Sequence, residues 1–201
     1  MVTLLVELQG DWIGRTDELL EAGLPDWRPD PLTLRIADTV KRTQTELPPA
    51  DVEVLMPFVA EVPRRFAATA DCGLPDTIVH GDFHPGNFRG DETHLVLLDW
   101  GDAGVGHPLL DEPAFLERTT ADTTAIRAHW HAAWRQLVPG SDPERAAALL
   151  APVAAARQAV IYRGFLDRIE PSEYPYHRDD PRRWLERTAS LIRADPEYAT
   201  L

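Results

Sequence analysis

The sequence predicts a predominantly helical α+β fold, and two observations carry that prediction. Most of the 201 residues fall into segments with apolar side chains at helical spacing, bounded by proline, aspartate or glycine. Only a central stretch contains short β-branched or leucine-rich runs, "TIV" at 77–79 and "LVLLDW" at 95–100. We therefore expect one domain over residues 1–201, with helices surrounding a small strand-and-loop insert.

Proline and glycine mark where the predicted helices begin, bend and end. Pro57 and Pro63 interrupt the third helical segment, so a kink or a break is expected there, and Pro152 is a possible kink in the longest one. The helical segments are predicted at residues 4–22, 30–47, 50–70, 111–119, 121–138, 142–170 and 179–195.

Side chains on the predicted helix 121–138 separate into core and peripheral positions. Trp130 and Trp134 are four residues apart and share a helix face, which indicates core packing. His129 and His131 are two apart and face different directions, so structural or surface roles are expected for both.

Composition and charge exclude several classes of protein. A net charge of −13 disfavours a nucleic-acid partner, and it slightly favours a cationic small substrate. The sequence has no apolar run long enough for a membrane helix and no secretory signal at its start, so a cytoplasmic location without a membrane partner is expected. Cys72 is the single cysteine, which excludes an intrachain disulfide.

The central insert concentrates polar residues of catalytic type. "HGDFHPGNF" at residues 80–88 contains His80, Asp82 and Asn87, and Asp99 follows at the end of "LVLLDWG". A carboxylate beside a substrate hydroxyl can accept its proton and orient its oxygen. An amide oxygen and a second carboxylate are hard ligands suited to Mg²⁺. The pattern H-x-D-x-x-x-x-N, strand, D-x-G therefore indicates phosphoryl-transfer chemistry.

"HGDFHPGNF" followed by "LLDWGDAGVGHPLLD" resembles the catalytic core of the aminoglycoside phosphotransferase and choline kinase-like family, within the protein-kinase-like superfamily. The resemblance implies that Asp82 is the catalytic base and that Asn87 and Asp99 bind magnesium. It implies that His80 and Asp111 brace the loop. It also implies ATP and Mg²⁺ as cofactors and a small-molecule hydroxyl as the phosphoryl acceptor, aminoglycoside-like or of another class.

The resemblance implies the protein-kinase-like C-terminal lobe alone. No G-x-G-x-x-G precedes residue 80, and Lys41, the only lysine, lies in a helical stretch, so a nucleotide-binding N-terminal lobe is not recognisable. Three alternatives stay open: a shortened form of an ordinary kinase, a chain that pairs with a separate chain supplying the first lobe, or a noncatalytic small-molecule-binding or regulatory remnant.

Other patterns in the insert support rival interpretations less well. His80, Asp82 and His84 spell H-x-D-x-H, a possible zinc or manganese site, but that hypothesis leaves Asn87 and the D-W-G element without a role. The serines lie in no G-x-S-x-G elbow, which disfavours a serine hydrolase. "GDAGVG" at 101–106 is expected to be a mobile segment. His107 departs from the family, in which an acidic residue is common at that position.

Overall fold

A computed structural model describes residues 1–91 and 94–195 and confirms a predominantly helical fold with small antiparallel sheets. The helices are α1 (Val2–Asp11), α2 (Thr16–Glu21), α3 (Pro29–Thr43), α4 (Pro49–Ala70), α5 (Glu112–Arg118), α6 (Thr123–Leu137), α7 (Pro143–Leu166), α8 (Tyr174–His177) and α9 (Asp180–Ala194). The strands are β1 (Thr77–Val79), β2 (Phe88–Gly90), β3 (Leu95–Leu97) and β4 (Gly104–Gly106). No helix within the described ranges is both long enough and apolar enough to span a membrane.

The chain divides into two compact units. The first comprises Met1–Arg28 and Thr69–Ala148 and contains α1, α2, α5, α6 and the four strands. The second comprises Pro29–Ala68 and the described part of Leu149–Leu201, and it is helical. All residues of the predicted catalytic motifs belong to the first unit.

A buried two-stranded sheet lies at the centre of the first unit. β1 pairs antiparallel with β4, with Ile78 opposite Val105, and every residue of both strands is buried. Gln9 of α1 is buried as well, and its amide donates to the carbonyl oxygens of Ile78 and Pro108. Because Gln9 bonds the middle of β1 and the turn that follows β4, α1 is fixed against the segments that lead to His80 and to Asp111.

The second sheet is small and largely exposed. β2 pairs antiparallel with β3, with Phe88 opposite Leu97 and Arg89 opposite Val96. Phe88 points into the core, whereas Arg89 and Val96 are exposed. The Leu98 amide also donates to the Asn87 carbonyl oxygen at 2.8 Å, which extends the pairing by one step toward the motif residues.

The second unit is built on apolar helix faces and contains a buried ion pair. Leu32, Ile36 and Val40 follow one another at four-residue spacing along α3 and are buried, and α3 packs against α9. Arg65 of α4 is fully buried and pairs with Asp195 at 2.8 Å. A buried guanidinium is tolerated because this carboxylate offsets its desolvation.

Several predicted elements differ from the structure. Residues 4–22 form two helices rather than one, because Gly14 adopts a left-handed φ of 75° between α1 and α2. The predicted break at Pro57 and Pro63 is wrong, since α4 continues through both prolines. The strand predicted at 95–100 ends at Leu97, and Phe88–Gly90 is a strand that was not predicted.

The segment predicted to be mobile after Asp99 is partly a buried strand. "GVG" at 104–106 forms β4, and the ring of Trp27 lies directly on it. A Cβ on Gly104 would overlap Trp27 Nε1 and the Pro25 carbonyl oxygen. The glycines of β4 therefore allow Trp27 to pack closely against the backbone. A sequence rich in glycine was predicted to be mobile because close packing of this kind is not visible in the sequence.

Candidate active site

The loop that carries the motif begins where β1 ends, and a buried carboxylate fixes its first turn. Asp111 accepts hydrogen bonds from the backbone amides of His80 at 2.7 Å and Gly81 at 3.0 Å. Asp111 and His80 are both fully buried. Gly81 has a φ of 90°, and a Cβ there would overlap the Asp102 carbonyl oxygen, so only glycine fits. Asp111 thus lies where the resemblance required a brace for the loop.

His80 connects the two loops of the site through its ring. Nδ1 accepts from the Asp82 amide at 3.3 Å, and this assigns the ring proton to Nε2, which donates to the Leu98 carbonyl oxygen at 2.9 Å. Leu98 directly precedes Asp99. This one imidazole therefore connects the loop carrying Asp82 to the strand end carrying Asp99.

Asp82 is half-buried and surrounded by polar partners. Its Oδ1 lies 2.5 Å from Arg118 Nη1, and Asn87 Nδ2 donates to its Oδ2 at 3.2 Å. Burial alone would raise the pKa of the Asp82 carboxyl, but the Arg118 charge and hydrogen bond outweigh burial and hold that pKa below its ordinary value. Asp82 is consequently a carboxylate at neutral pH and can accept a hydrogen bond from a hydroxyl.

His84 lies on the other side of the same carboxylate. Its Nδ1 accepts from the Gly86 amide at 3.0 Å, which leaves Nε2–H directed at Asp82 Oδ2, 3.4 Å away. Burial lowers the pKa of His84, although Asp82 opposes that effect. His84 is therefore neutral at pH 7 and helps to orient Asp82 without adding a charge.

Asn87 and Asp99 lie at adjacent ends of β2 and β3. The Asn87 amide nitrogen donates to the Asp82 carbonyl and carboxylate oxygens, so its side-chain oxygen is the atom directed elsewhere. Asp99 is exposed and has a φ of 64°, the one left-handed non-glycine residue in the described chain. Strained backbone of this kind is found at functional sites.

The donor atoms of Asn87 and Asp99 fit a hard divalent cation. One amide oxygen and one carboxylate are the type of protein ligand set that Mg²⁺ takes when phosphates and waters complete its shell. In the described ranges, no group of three His, Cys, Asp or Glu side chains is placed to hold a metal. Both ring nitrogens of His80 are used in hydrogen bonds, so the rival zinc hypothesis gains no support.

A cluster of buried aromatic rings packs against Phe83 of the loop that carries Asp82. Phe83 is fully buried and stacks on Phe115 at 4.8 Å between ring centroids, and it meets Trp130 edge to face at 5.5 Å. Trp130 and Trp134 are fully buried, which confirms the predicted core face of α6. Packing of this density holds the polar residues above it in one geometry.

The flanking histidines have structural roles. His131 is buried, and its Nε2 lies 2.8 Å from Glu112 Oε2, so it joins α6 to the start of α5. The Nδ1 atom of His107 accepts from the Leu109 amide at 3.3 Å, so His107 caps the turn that leads to Asp111. Complete burial lowers the pKa of His107 to about 3.

The structure brings His80, Asp82 and Asn87 into one hydrogen-bonded cluster and places Asp99 beside it. Sequence reasoning missed Arg118, the ion-pair partner of Asp82. Arginine is common throughout this chain, and the 36 positions that separate the pair left no local pattern to detect.

Comparison with known protein families agrees with this geometry. No curated protein matches the chain significantly. The family model for the phosphotransferase enzyme family matches residues 7–149, more than two thirds of the chain, and the match includes all the motif residues. The chain belongs to the phosphotransferase enzyme family, the aminoglycoside phosphotransferase and choline kinase-like group that its motifs resemble.

Proposed function

We propose that this chain is the protein-kinase-like C-terminal lobe of a small-molecule kinase and transfers phosphate from ATP to a substrate hydroxyl. The observation that carries the proposal is the His80 ring, which bonds both the Asp82 amide and the Leu98 carbonyl oxygen. This single side chain connects a base of the required type to the strand end that carries Asp99. Family membership supports the reaction class.

Asp82 has the properties that the proposed base needs. It is ionised at neutral pH, and Arg118, Asn87 and His84 fix the direction of its carboxylate. A base with a depressed pKa is weak, so its main contribution is to orient the hydroxyl oxygen and to receive the proton as the oxygen–phosphorus bond forms. Positioning is most of the catalysis in this chemistry.

Asn87 and Asp99 are the residues that would hold Mg²⁺. When bound, the ion supplies charge neutralisation on the nucleotide phosphates. The chain's own contribution is the rigidity of this pair. Asn87 is oriented by Asp82, and Asp99 is held by the strained backbone after β3.

Transfer measured with an isosteric variant of Asp82 tests the proposed base. We expect Asp82→Asn to lower phosphoryl transfer from ATP to a panel of alcohols by about 10²-fold or more, the usual contribution of a positioned base. Binding of Mg–ATP should change little, because Asp82 is not a proposed metal ligand. Asp71→Asn, which removes an exposed carboxylate of the same unit, is the matched control.

The outcome also separates the two interpretations of the chain. Full activity in Asp82→Asn would mean that another group is the base. A folded wild-type chain that binds Mg–ATP and transfers nothing to any alcohol would favour the noncatalytic small-molecule-binding alternative.

A further inference from the structure

We propose that Glu112 and His131 are positioning residues for the motif loop, residues 80–88, because together they fix the helix that braces this loop. The inference rests on the proposed phosphotransferase function, since the motif loop carries the proposed base, Asp82. Glu112 and His131 lie in the first unit, and both are buried. Neither residue belongs to the motifs from which the site was identified.

The helix α5 contacts the motif loop at both of its ends. Asp111, which directly precedes α5, accepts from the backbone amides of His80 and Gly81. Arg118, the last residue of α5, pairs with Asp82. At 1.5 Å per residue, these two ends are only about 10 Å apart, so such a short helix moves as one body. A shift of α5 would therefore alter both contacts to the motif loop at once.

Glu112 connects the first turn of α5 to α6. Its Oε2 accepts from His131 Nε2 at 2.8 Å, and its Oε1 accepts from Arg127 Nε at 2.9 Å. Arg127 and His131 are four residues apart and share one face of α6. Asp111 and Glu112 are thus consecutive buried carboxylates with different partners. The first holds the motif loop, and the second holds α6.

The same face of α6 continues this alternation of charge to α7. Arg135 lies four residues beyond His131 and pairs with Glu144 in the first turn of α7. His131 Nδ1 is 3.5 Å from Glu144 Oε1. Glu112 and Glu144 both occupy the first turn of a helix, where the helix dipole favours a carboxylate. The ring of His131 therefore lies between two carboxylates, which fixes its orientation toward Glu112.

Apolar packing also reaches α5, but it is less directional. Phe115 stacks on Phe83 of the motif loop and meets Trp130 of α6 edge to face at 5.8 Å between ring centroids. Burial of apolar surface holds α5 close without specifying its rotation or register. Hydrogen bonds weaken steeply when their angle changes, so the two bonds to Glu112 specify where Asp111 lies. This directional role explains why a carboxylate is placed here despite the cost of burying it.

Hydrogen exchange at the braced amides tests the proposal on the full chain, without nucleotide or turnover. Glu112→Ala removes both bonds to α6. By NMR, we expect the amides of His80 and Gly81 to exchange about tenfold faster or more, the effect of losing a buried hydrogen bond. The amides of Trp27 and Val105, which are hydrogen-bonded at the buried sheet of the same unit, should change by less than about threefold. Equal acceleration at all four amides would mean that Glu112 only stabilises the unit, and it would overturn the positioning role.

A milder variant keeps the test decisive if Glu112→Ala does not fold. Arg127 is 57% exposed, so Arg127→Gln should fold normally and should speed exchange at His80 and Gly81 by about threefold, as expected for loss of one partly exposed ion pair. Unchanged exchange at both amides in Arg127→Gln would overturn the proposal. Glu112→Gln keeps the side-chain length and one acceptor oxygen, so it should restore most of the protection that Glu112→Ala loses.

A control variant and the choice of readout separate this proposal from the proposed function. Glu21→Ala removes an exposed glutamate at the end of α2 in the same unit and should leave exchange at His80 and Gly81 unchanged. A chain that transfers no phosphate would still show the local change in exchange. Conversely, a failed exchange test leaves the outcome of the Asp82→Asn experiment unaffected. Failure of one proposal and failure of the other therefore give different results.

Discussion

The two small sheets of the first unit have the same size and opposite character. The β1–β4 sheet is buried on every residue and is packed against Trp27, and β1 leads directly into His80. The β2–β3 sheet is mainly exposed, and Asn87 and Asp99 lie at the same end of it, before β2 and after β3. The first sheet is held by apolar burial, whereas the second is held by backbone pairing and by the His80–Leu98 hydrogen bond.

The contrast between the two sheets indicates that different residues determine the stability of the first unit and its proposed function. Burial fixes the position from which the motif loop starts, and substitutions there are expected to unfold the unit. Polar contacts fix the side chains that are proposed to do the chemistry, and substitutions there are expected to change binding or ionisation while the fold persists. Each prediction below tests one side of that division.

The largest expected effect is a steric one in the buried sheet. Gly104→Ala adds a Cβ that overlaps Trp27 and the Pro25 carbonyl oxygen, and backbone cannot move aside as a flexible side chain can. We expect a loss of about 3 kcal/mol in the free energy of unfolding, measured by chemical denaturation. In Gly101→Ala, the nearest atom to the new Cβ is Asp99 Oδ1 at 3.7 Å, so its stability should change by less than about 1 kcal/mol. Equal stability of the two variants would contradict the packing described for β4.

A somewhat smaller effect is expected from pH at the end of the same sheet. His107 has a folded-state pKa of about 3, below its unfolded value, so the unfolded chain binds the extra proton as pH falls below about 6.5. The neutral histidine therefore stabilises the fold at neutral pH, and that stability is lost on acidification toward pH 3.

The variant His107→Asn removes the titrating group and keeps an acceptor for the Leu109 amide. Between pH 7 and pH 4, the unfolding free energy of the wild type should fall by about 2–3 kcal/mol more than that of the variant. Parallel pH profiles for the two proteins would show that His107 is not held neutral.

The smallest effect on stability is expected at the half-buried ion pair of Asp82 and Arg118, where the measured quantity is the pKa of the Asp82 carboxyl. Arg118→Gln removes the main charge that opposes burial at Asp82, so the pKa of the Asp82 carboxyl should rise. Carbon-13 NMR of the carboxyl carbon measures that change. Arg89→Gln, an exposed arginine of β2, should leave the Asp82 titration unchanged. If the pKa of the Asp82 carboxyl were the same in Arg118→Gln as in the wild type, the charge of Arg118 would not be what lowers it.

The sequence predicted most of the helices and the family well because their signals are local. Periodicity located most helix positions, and the spacing of Asp82, Asn87 and Asp99 identified the family. Long-range packing was not visible. β4 is two glycines and a valine, which form a strand only because Trp27 packs closely against them.

The polar partners of the site were predictable only where the family pattern contains them. Asp111 was expected to brace the loop, and it bonds the His80 and Gly81 amides. The ion pair of Arg118 with Asp82 joins α5 to the loop, and no spacing in the sequence indicates it.

The most direct test of the central claim is a calorimetric titration of the chain with ATP, with and without Mg²⁺. The wild type should bind ATP in a magnesium-dependent manner, Asp99→Asn should weaken that binding at least about tenfold, and the control Asp71→Asn should match the wild type. Binding that is independent of magnesium, binding that is equal in Asp99→Asn, or no binding by the folded wild-type chain would contradict the assignment of Asn87 and Asp99 as the site that holds the nucleotide's metal ion.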